Sequence, residues 1–183
     1  QYPWPRNIYS EIMLDTHYSN THVFTQVFNQ PDRFGGDEKF AEGLVNRLSI
    51  LSAAPTSQKD TGSAPYVKTS VFGGGDIKDS IWNFSGMSAP IKILQDNTYG
   101  VGVTVSTPPL PDTPNFDGTV RSAPLIVSAN DQIYPSVALE TLRAFYDQPN
   151  YQTRVTPEVG IEWIRMGRQP PIQTTSTSDV MIT

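Results

Sequence analysis

Histidine is the side chain most often used to move protons near neutral pH, and this sequence holds two, His17 and His22. Neither stands in a His-Glu-x-x-His pattern, near a nucleophile elbow or in a paired-ligand arrangement, so nothing around them assembles a nucleophile or a metal site. The triple glycine 73–75 lacks the Lys-Ser/Thr that follows a phosphate-binding loop and the spaced glycines of a dinucleotide fold. It reads as a turn. Asp32, Asp37 and Glu38, or Asp76 and Asp79, could offer oxygen ligands to calcium, and a carboxylate pair could carry out glycoside chemistry. Helix caps and solvated loops account for the same residues. With no cysteine in the chain, disulfides, thiolate catalysis and Cys-based zinc sites are excluded, and no cofactor or metal is expected.

What remains is binding chemistry. The guanidinium fork of arginine suits carboxylate or phosphate, so an arginine close to an aromatic ring could hold an anionic ligand. Trp4, Arg6, Asp117 and Arg121, the aromatic and charged members of the stretches 2–6 and 117–121, are the candidate ligand-binding residues, with the arginines as the groups that would hold an anion. A structural reading competes with it. Asp117 precedes Gly118, where a carboxylate can accept backbone N–H bonds in a turn, and Arg121 can fork a carboxylate or carbonyl from a strand. Under that reading Arg6, Asp117 and Arg121 hold the fold together. Tyr2, Tyr9, Tyr18, Trp82, Phe84, Tyr99 and Trp163 could line a pocket or an interface, with core packing as the alternative.

These residues must be positioned by a chain of 183 residues, a length that suits a single domain, 1–183. A hydrophobic fraction of 37%, a charged fraction of 17%, 16 Pro and 13 Gly imply long Pro/Gly-rich loops. The net charge of −5, with no basic cluster to offset it, repels nucleic acid and anionic lipid, so no nucleic-acid partner is expected. The longest apolar runs, such as Leu125-Ile126-Val127, fall far short of the ~20 residues of a membrane helix. The lack of an initiator Met and of a signal sequence suggests a segment of a longer protein.

The periodicity predicts helices at 8–17, with Asn7 as cap, at 37–48, with Asp37 as cap, and at 136–147, with Ser136 as cap. Phe40, Ala41, Leu44, Val45 and Leu48 form one helical stripe. Strands are predicted at 23–28, 49–53, 101–105 and 119–127 in one central sheet, with a hairpin arm at 132–134 and closing strands at 161–166 and 180–182. Residues 55–96 read as an irregular insertion. The fold class is α/β, a central mixed sheet flanked by helices. Leu139 and Leu142 are both expected to face the core.

Three blocks carry a resemblance. Tyr2-Pro3-Trp4-Pro5-Arg6 is similar to a Trp-Pro-Trp-Pro-Arg box. Val27-Phe28, Pro31-Asp32-Arg33, Asp37 and Phe40 to Leu44 are similar to a strand, a Pro-containing loop and an Asp-x-x-Leu-Ala-x-Ala-Leu helix. Asp117 to Leu125 and Tyr134 to Glu140 are similar to Asp-Gly-Val-Val-Arg-Arg-Val-Pro-Leu and Tyr-Pro-Ser-Leu-Ala-Leu-Glu boxes. In this order they resemble the second type of CHASE domain, a cyclase- and histidine-kinase-associated extracellular sensory domain. Thr25 stands where that family carries an aspartate.

The resemblance implies a non-catalytic sensory domain of a bacterial inner-membrane receptor, on its periplasmic or cell-surface side. It implies signal transduction to a cytoplasmic adenylate or diguanylate cyclase or to a two-component kinase. It also implies an unidentified small-molecule or envelope signal, a possible homodimer within the receptor, and membrane contact only through flanking helices outside this chain. The alternatives are a soluble periplasmic hydrolase and a protein-binding domain of an envelope complex.

Overall fold

The computed structural model describes residues 4–19, 21–56, 70–73, 77–105 and 122–181. Its first elements are α1 (Arg6–Asp15), β1 (Thr21–Phe24), α2 (Asp37–Leu44) and β2 (Leu48–Thr56), the helix–strand alternation that the apolar periodicity predicts. There follow β3 (Ser70–Gly73), a 3-10 turn Ile77–Ser80, β4 (Asn83–Phe84), β5 (Gly86–Ser88), α3 (Lys92–Asn97) and β6 (Gly100–Val103). The C-terminal part contains β7 (Ser122–Pro124), β8 (Ile126–Ala129), β9 (Gln132–Pro135), α4 (Val137–Phe145), β10 (Asn150–Thr156), β11 (Gly160–Met166), β12 (Ile172–Gln173) and β13 (Asp179–Met181). The protein is α/β. No helix among the described residues is long and apolar enough to cross a membrane.

Strands β1, β2 and β6 run parallel in that order, and β5 adds antiparallel to the far end of β2, so the sheet is mixed. Side chains alternate across it. Leu51 faces the helices α1 to α3, within a core of Met13, Phe28, Phe40, Ala41, Leu44 and Leu94. Burying each large side chain there contributes about 1.5–3 kcal/mol. The opposite face, carrying Ile50 and its partner Gly100, lies under α4. A Cβ on Gly100 would collide with the Glu140 side chain, so the missing side chain lets α4 approach the sheet closely.

A second sheet, β12-β11-β10-β3, packs its apolar side around Leu125, Ile126, Tyr151, Ile161 and Ile164, and Leu139 of α4 joins that core. Helix α4 therefore contributes to two layers. Its start follows the sequence: Ser136 Oγ accepts the Leu139 N–H at 3.2 Å. The hairpin β8–β9 turns through Asn130 and Asp131, with φ of 48° and 63°, the conformation that a two-residue hairpin loop requires.

Several boundaries differ from those that the periodicity predicts. Helix α1 starts at Arg6, with Pro5 as its N-cap residue and no cap from Asn7, because the Asp32 carboxylate accepts the Arg6 N–H from outside the helix. Helix α2 stops at Leu44: Val45 turns to ψ 137° and Asn46 takes a φ of 59°, so Val45 is exposed and Leu48 already belongs to β2. Strand β1 ends at Phe24 rather than at 28, and Thr25 is exposed beyond it. Residues 55–96 contain β5 and α3, whose Leu94 is fully buried, where an irregular insertion is predicted. Of the strand predicted at 119–127, the described part divides into β7, paired with β13, and β8, paired with β4 and β9; neither belongs to the parallel sheet.

Leu139 is 0% exposed, whereas Leu142 is 39% exposed on the outer side of α4. Leu139→Ala is expected to cost about 2–5 kcal/mol through lost burial and a cavity, and Leu142→Ala less than about 1 kcal/mol. Urea melts of the two variants check this, and equal losses would place the helix on a different face.

Candidate functional site

The first candidate site forms where α1 and α2 begin. Arg6 is 6% exposed, and a charge so withdrawn from water must be matched. One arm of its guanidinium, Nη1, donates to Asp37 Oδ1 and pairs with that carboxylate; the other, Nη2, donates to the backbone carbonyl of Gln30. The guanidinium also lies over the Phe28 ring, 5.2 Å from its centroid. Asp37 Oδ2 in turn accepts the Asp32 N–H at 2.9 Å.

Asp32 completes the knot. Its Oδ2 accepts the N–H of Arg6, in the first turn of α1, and that of Gly36, just before α2, both at 3.0 Å; its Oδ1 accepts the Phe34 N–H at 3.3 Å. One carboxylate thus serves two helix N-termini, whose dipoles favour negative charge. Burial pushes the Asp32 carboxyl up, but the three backbone N–H bonds and the Arg6 charge outweigh it and hold it below the usual carboxylate range. Gly36 is needed for the close approach, since a Cβ there would lie 2.7 Å from both Asn7 N and Asp32 Oδ2.

Above this knot opens a cleft of about 620 Å³ whose walls include Trp4, Gln26, Phe28, Asn29, Gln30 and Phe34. It lies in the loop that leaves β1 at its carboxyl end, the edge of an open α/β sheet where ligands usually bind. Phe28 is its floor, 2% exposed and packed edge-on against Tyr9 and Phe40, with ring centroids 5.2 Å away in both cases. Trp4 and Phe34 stand at its mouth, 61% and 71% exposed. The volume suits a small molecule.

A second buried polar cluster lies under α4. Arg143 Nε and Nη2 fork the Glu140 carboxylate at 3.0 and 2.8 Å, the Tyr151 hydroxyl donates to Glu140 Oε2 at 2.5 Å, and Arg143 Nη1 donates to the Gln148 carbonyl at 2.7 Å. Burial and the Glu140 carboxylate together push the Tyr151 hydroxyl well above its ordinary range. Burial opposes the Arg143 charge, but the Glu140 fork outweighs it and the guanidinium is held charged. Glu140 is 1% exposed and Tyr151 0%. The cluster, buried in all three of its side chains, ties α4 and the parallel sheet to β10.

Of the four sequence candidates, Trp4 and Arg6 meet in the cleft, Trp4 at its mouth and Arg6 beneath it, whereas Asp117 and Arg121 lie outside the described residues. Asp32 and Asp37, read as possible calcium ligands, face Arg6 and backbone N–H groups instead. Among the described residues no group of three or more His, Asp or Glu side chains is arranged to hold a metal ion. His22 Nε2 bonds Thr16 Oγ1 at 2.9 Å and His17 Nδ1 bonds the Leu14 carbonyl at 3.1 Å, both local contacts. Gln26, Asn29 and Phe34 were not singled out by the sequence reading, because lone amides and a lone Phe in a loop carry no pattern. Glu140 and Arg143 did leave a signal: two opposite charges at i, i+3 inside an apolar helix.

Because the folded Asp32 carboxyl lies below its unfolded value, its contribution to stability is fully present above the unfolded pKa, about 3.9, and is lost as pH falls through the folded value. Asp32→Asn is therefore expected to melt below the parent at neutral pH, with the gap closing in acid as the parent's carboxylate protonates. A gap that stays constant from neutral pH down into acid would remove Asp32 as the charged cap of both helices.

Comparison of the chain with protein-family models, with curated proteins and with solved structures finds no match, so the roles of these side chains rest on their geometry and chemistry.

Proposed function

We propose that this chain is the extracytoplasmic signal-input domain of a bacterial transmembrane receptor that regulates a cytoplasmic cyclase, diguanylate cyclase or kinase, and that the Trp4–Phe34 cleft receives the signal. The observation that carries this reading is the joining of the first two resemblance blocks. The Trp-Pro-Arg box and the Pro-Asp-Arg loop meet through Arg6, Asp32 and Asp37 and together wall one open cleft. A sensor needs a ligand that binds one state better than another. A molecule seated between Trp4, just before α1, and Phe34, just before α2, would bias the positions of those two helix N-termini.

One feature favours the protein-binding alternative: the only charged side chains of α4, Glu140 and Arg143, are buried, while Leu142 and Phe145 are 39% and 61% exposed. An envelope protein could cover that face.

The test uses the full-length gene product in membranes, with its nucleotide or phosphoryl output measured for the parent and for Trp4→Ala and Phe34→Ala. Both side chains are exposed, so neither change should lower the melting temperature. The reading expects each variant to shift the output set point or to abolish its response to stimulus. A full-length product with no membrane helices and no output module, or an output indifferent to both substitutions, would overturn it. A loss of output restricted to Leu142→Glu and Phe145→Glu would favour the protein-binding reading.

A further inference from the structure

We propose that the cleft binds the ring of a neutral sugar, stacked between Trp4 and Phe34 and hydrogen-bonded by side-chain amides. This rests on the reading of the cleft as the input site and adds the chemical class of its ligand.

Two ionic groups of the cleft are already committed: Arg6 is held by Asp37 and by the Gln30 carbonyl, and Asp32 by three backbone N–H groups. Arg33 also lines the cleft, exposed and with a contact of its own. A charged ligand on Arg6 or Asp32 would have to displace one of their partners and leave another charge unmatched. What the cleft offers without rearrangement is flat aromatic surface and amide dipoles. Gln26 is anchored through Oε1, which accepts the Tyr9 hydroxyl at 2.7 Å, and Asn29 through Nδ2, which donates to Ser88 Oγ at 2.8 Å. Each amide is thereby oriented, with the NH2 of Gln26 and the Oδ1 of Asn29 as the ends that find no protein partner among the described residues. One end donates and the other accepts, which suits hydroxyl groups, since each hydroxyl does both.

A wholly apolar ligand would leave these amides unsatisfied. A planar heteroaromatic could stack, but its few polar atoms lie in one plane and leave the rim of an open cleft unused. A pyranose has an apolar face of C–H groups to lay on an indole or phenyl ring and a rim of hydroxyls that remains hydrated at the open side. Both rings are exposed and so offer flat apolar faces to such a partner.

The experiment follows the indole N–H resonance of Trp4, assigned by its loss in Trp4→Phe, during titration with a panel of methyl pyranosides and N-acetylglucosamine to tens of millimolar. Inorganic phosphate and citrate serve as anionic probes. The expected result is saturable binding of at least one neutral sugar that added salt does not weaken, because no net charge is paired. Binding should fall by about tenfold or more in Trp4→Ala and Phe34→Ala, with melting temperatures unchanged. Saturation by phosphate or citrate alone, weakened by salt, would overturn the sugar assignment and leave the cleft as an input site for anions. No saturable shift with any probe would also overturn it, and the input reading would then stand or fall on the receptor output of the two cleft variants.

Discussion

A charge withdrawn from water has to find a partner, and this chain meets that requirement at Arg6 and again at Glu140. At Glu140 the partners are Arg143 and Tyr151, one on the same helix and one on the second sheet. The Tyr151 hydroxyl therefore ties α4 to the second sheet through Glu140, while Gly100 allows the carboxylate to lie against the parallel sheet. At Arg6 the partners are Asp37 and the Gln30 carbonyl, so the guanidinium draws the loop between β1 and α2 onto the start of α1. Apolar burial stabilises both regions, but it has no direction. The paired charges set the register.

The knot at Arg6 shapes the cleft. With Arg6 turned inward and Asp32 occupied by backbone N–H groups, the surface that remains above them is made of aromatic faces and amides. The same carboxylate that starts two helices also brings their N-termini together, so the mouth of the cleft and the ends of α1 and α2 share one hydrogen-bonded arrangement. A ligand that bridges Trp4 and Phe34 would act on the helix positions directly. That is the physical link between the proposed binding event and a receptor equilibrium.

The α/β class was legible in the sequence because helix α2, strand β2 and helix α4 carry strong apolar periodicity and β1 and β6 alternate or are β-rich. The Ser136 cap and the Asn130-Asp131 turn were equally clear from local chemistry. The misplaced boundaries have two causes, long-range partners and local backbone turns that the sequence does not mark. Helix α1 starts at Arg6 because of a carboxylate 26 positions away, and no local pattern reveals it. The stripe through Val45 and Leu48 was read as helix although Asn46 breaks it, since a left-handed asparagine is not marked in the sequence. Leu142 was placed inside because α4 is apolar almost all round, and only the inward Glu140 and Arg143 show which side is buried. In the site, Trp4 and Arg6 stood out by residue type, but their division of labour did not. Which of them faces the open cleft and which is held inside depends on Asp37 reaching Arg6.

That division is the central claim, and a double-mutant cycle on Arg6 and Asp37, read by urea denaturation together with ligand titration, tests it most directly. Arg6→Met alone should destabilise the chain by about 3–5 kcal/mol, because it leaves the Asp37 carboxylate without its cation, and Arg6→Met with Asp37→Leu should recover much of that loss. Ligand binding in the double variant should then survive wherever the fold does. Additive losses, or an Arg6→Met protein that keeps full stability and loses its ligand, would contradict the account and make Arg6 the binding group.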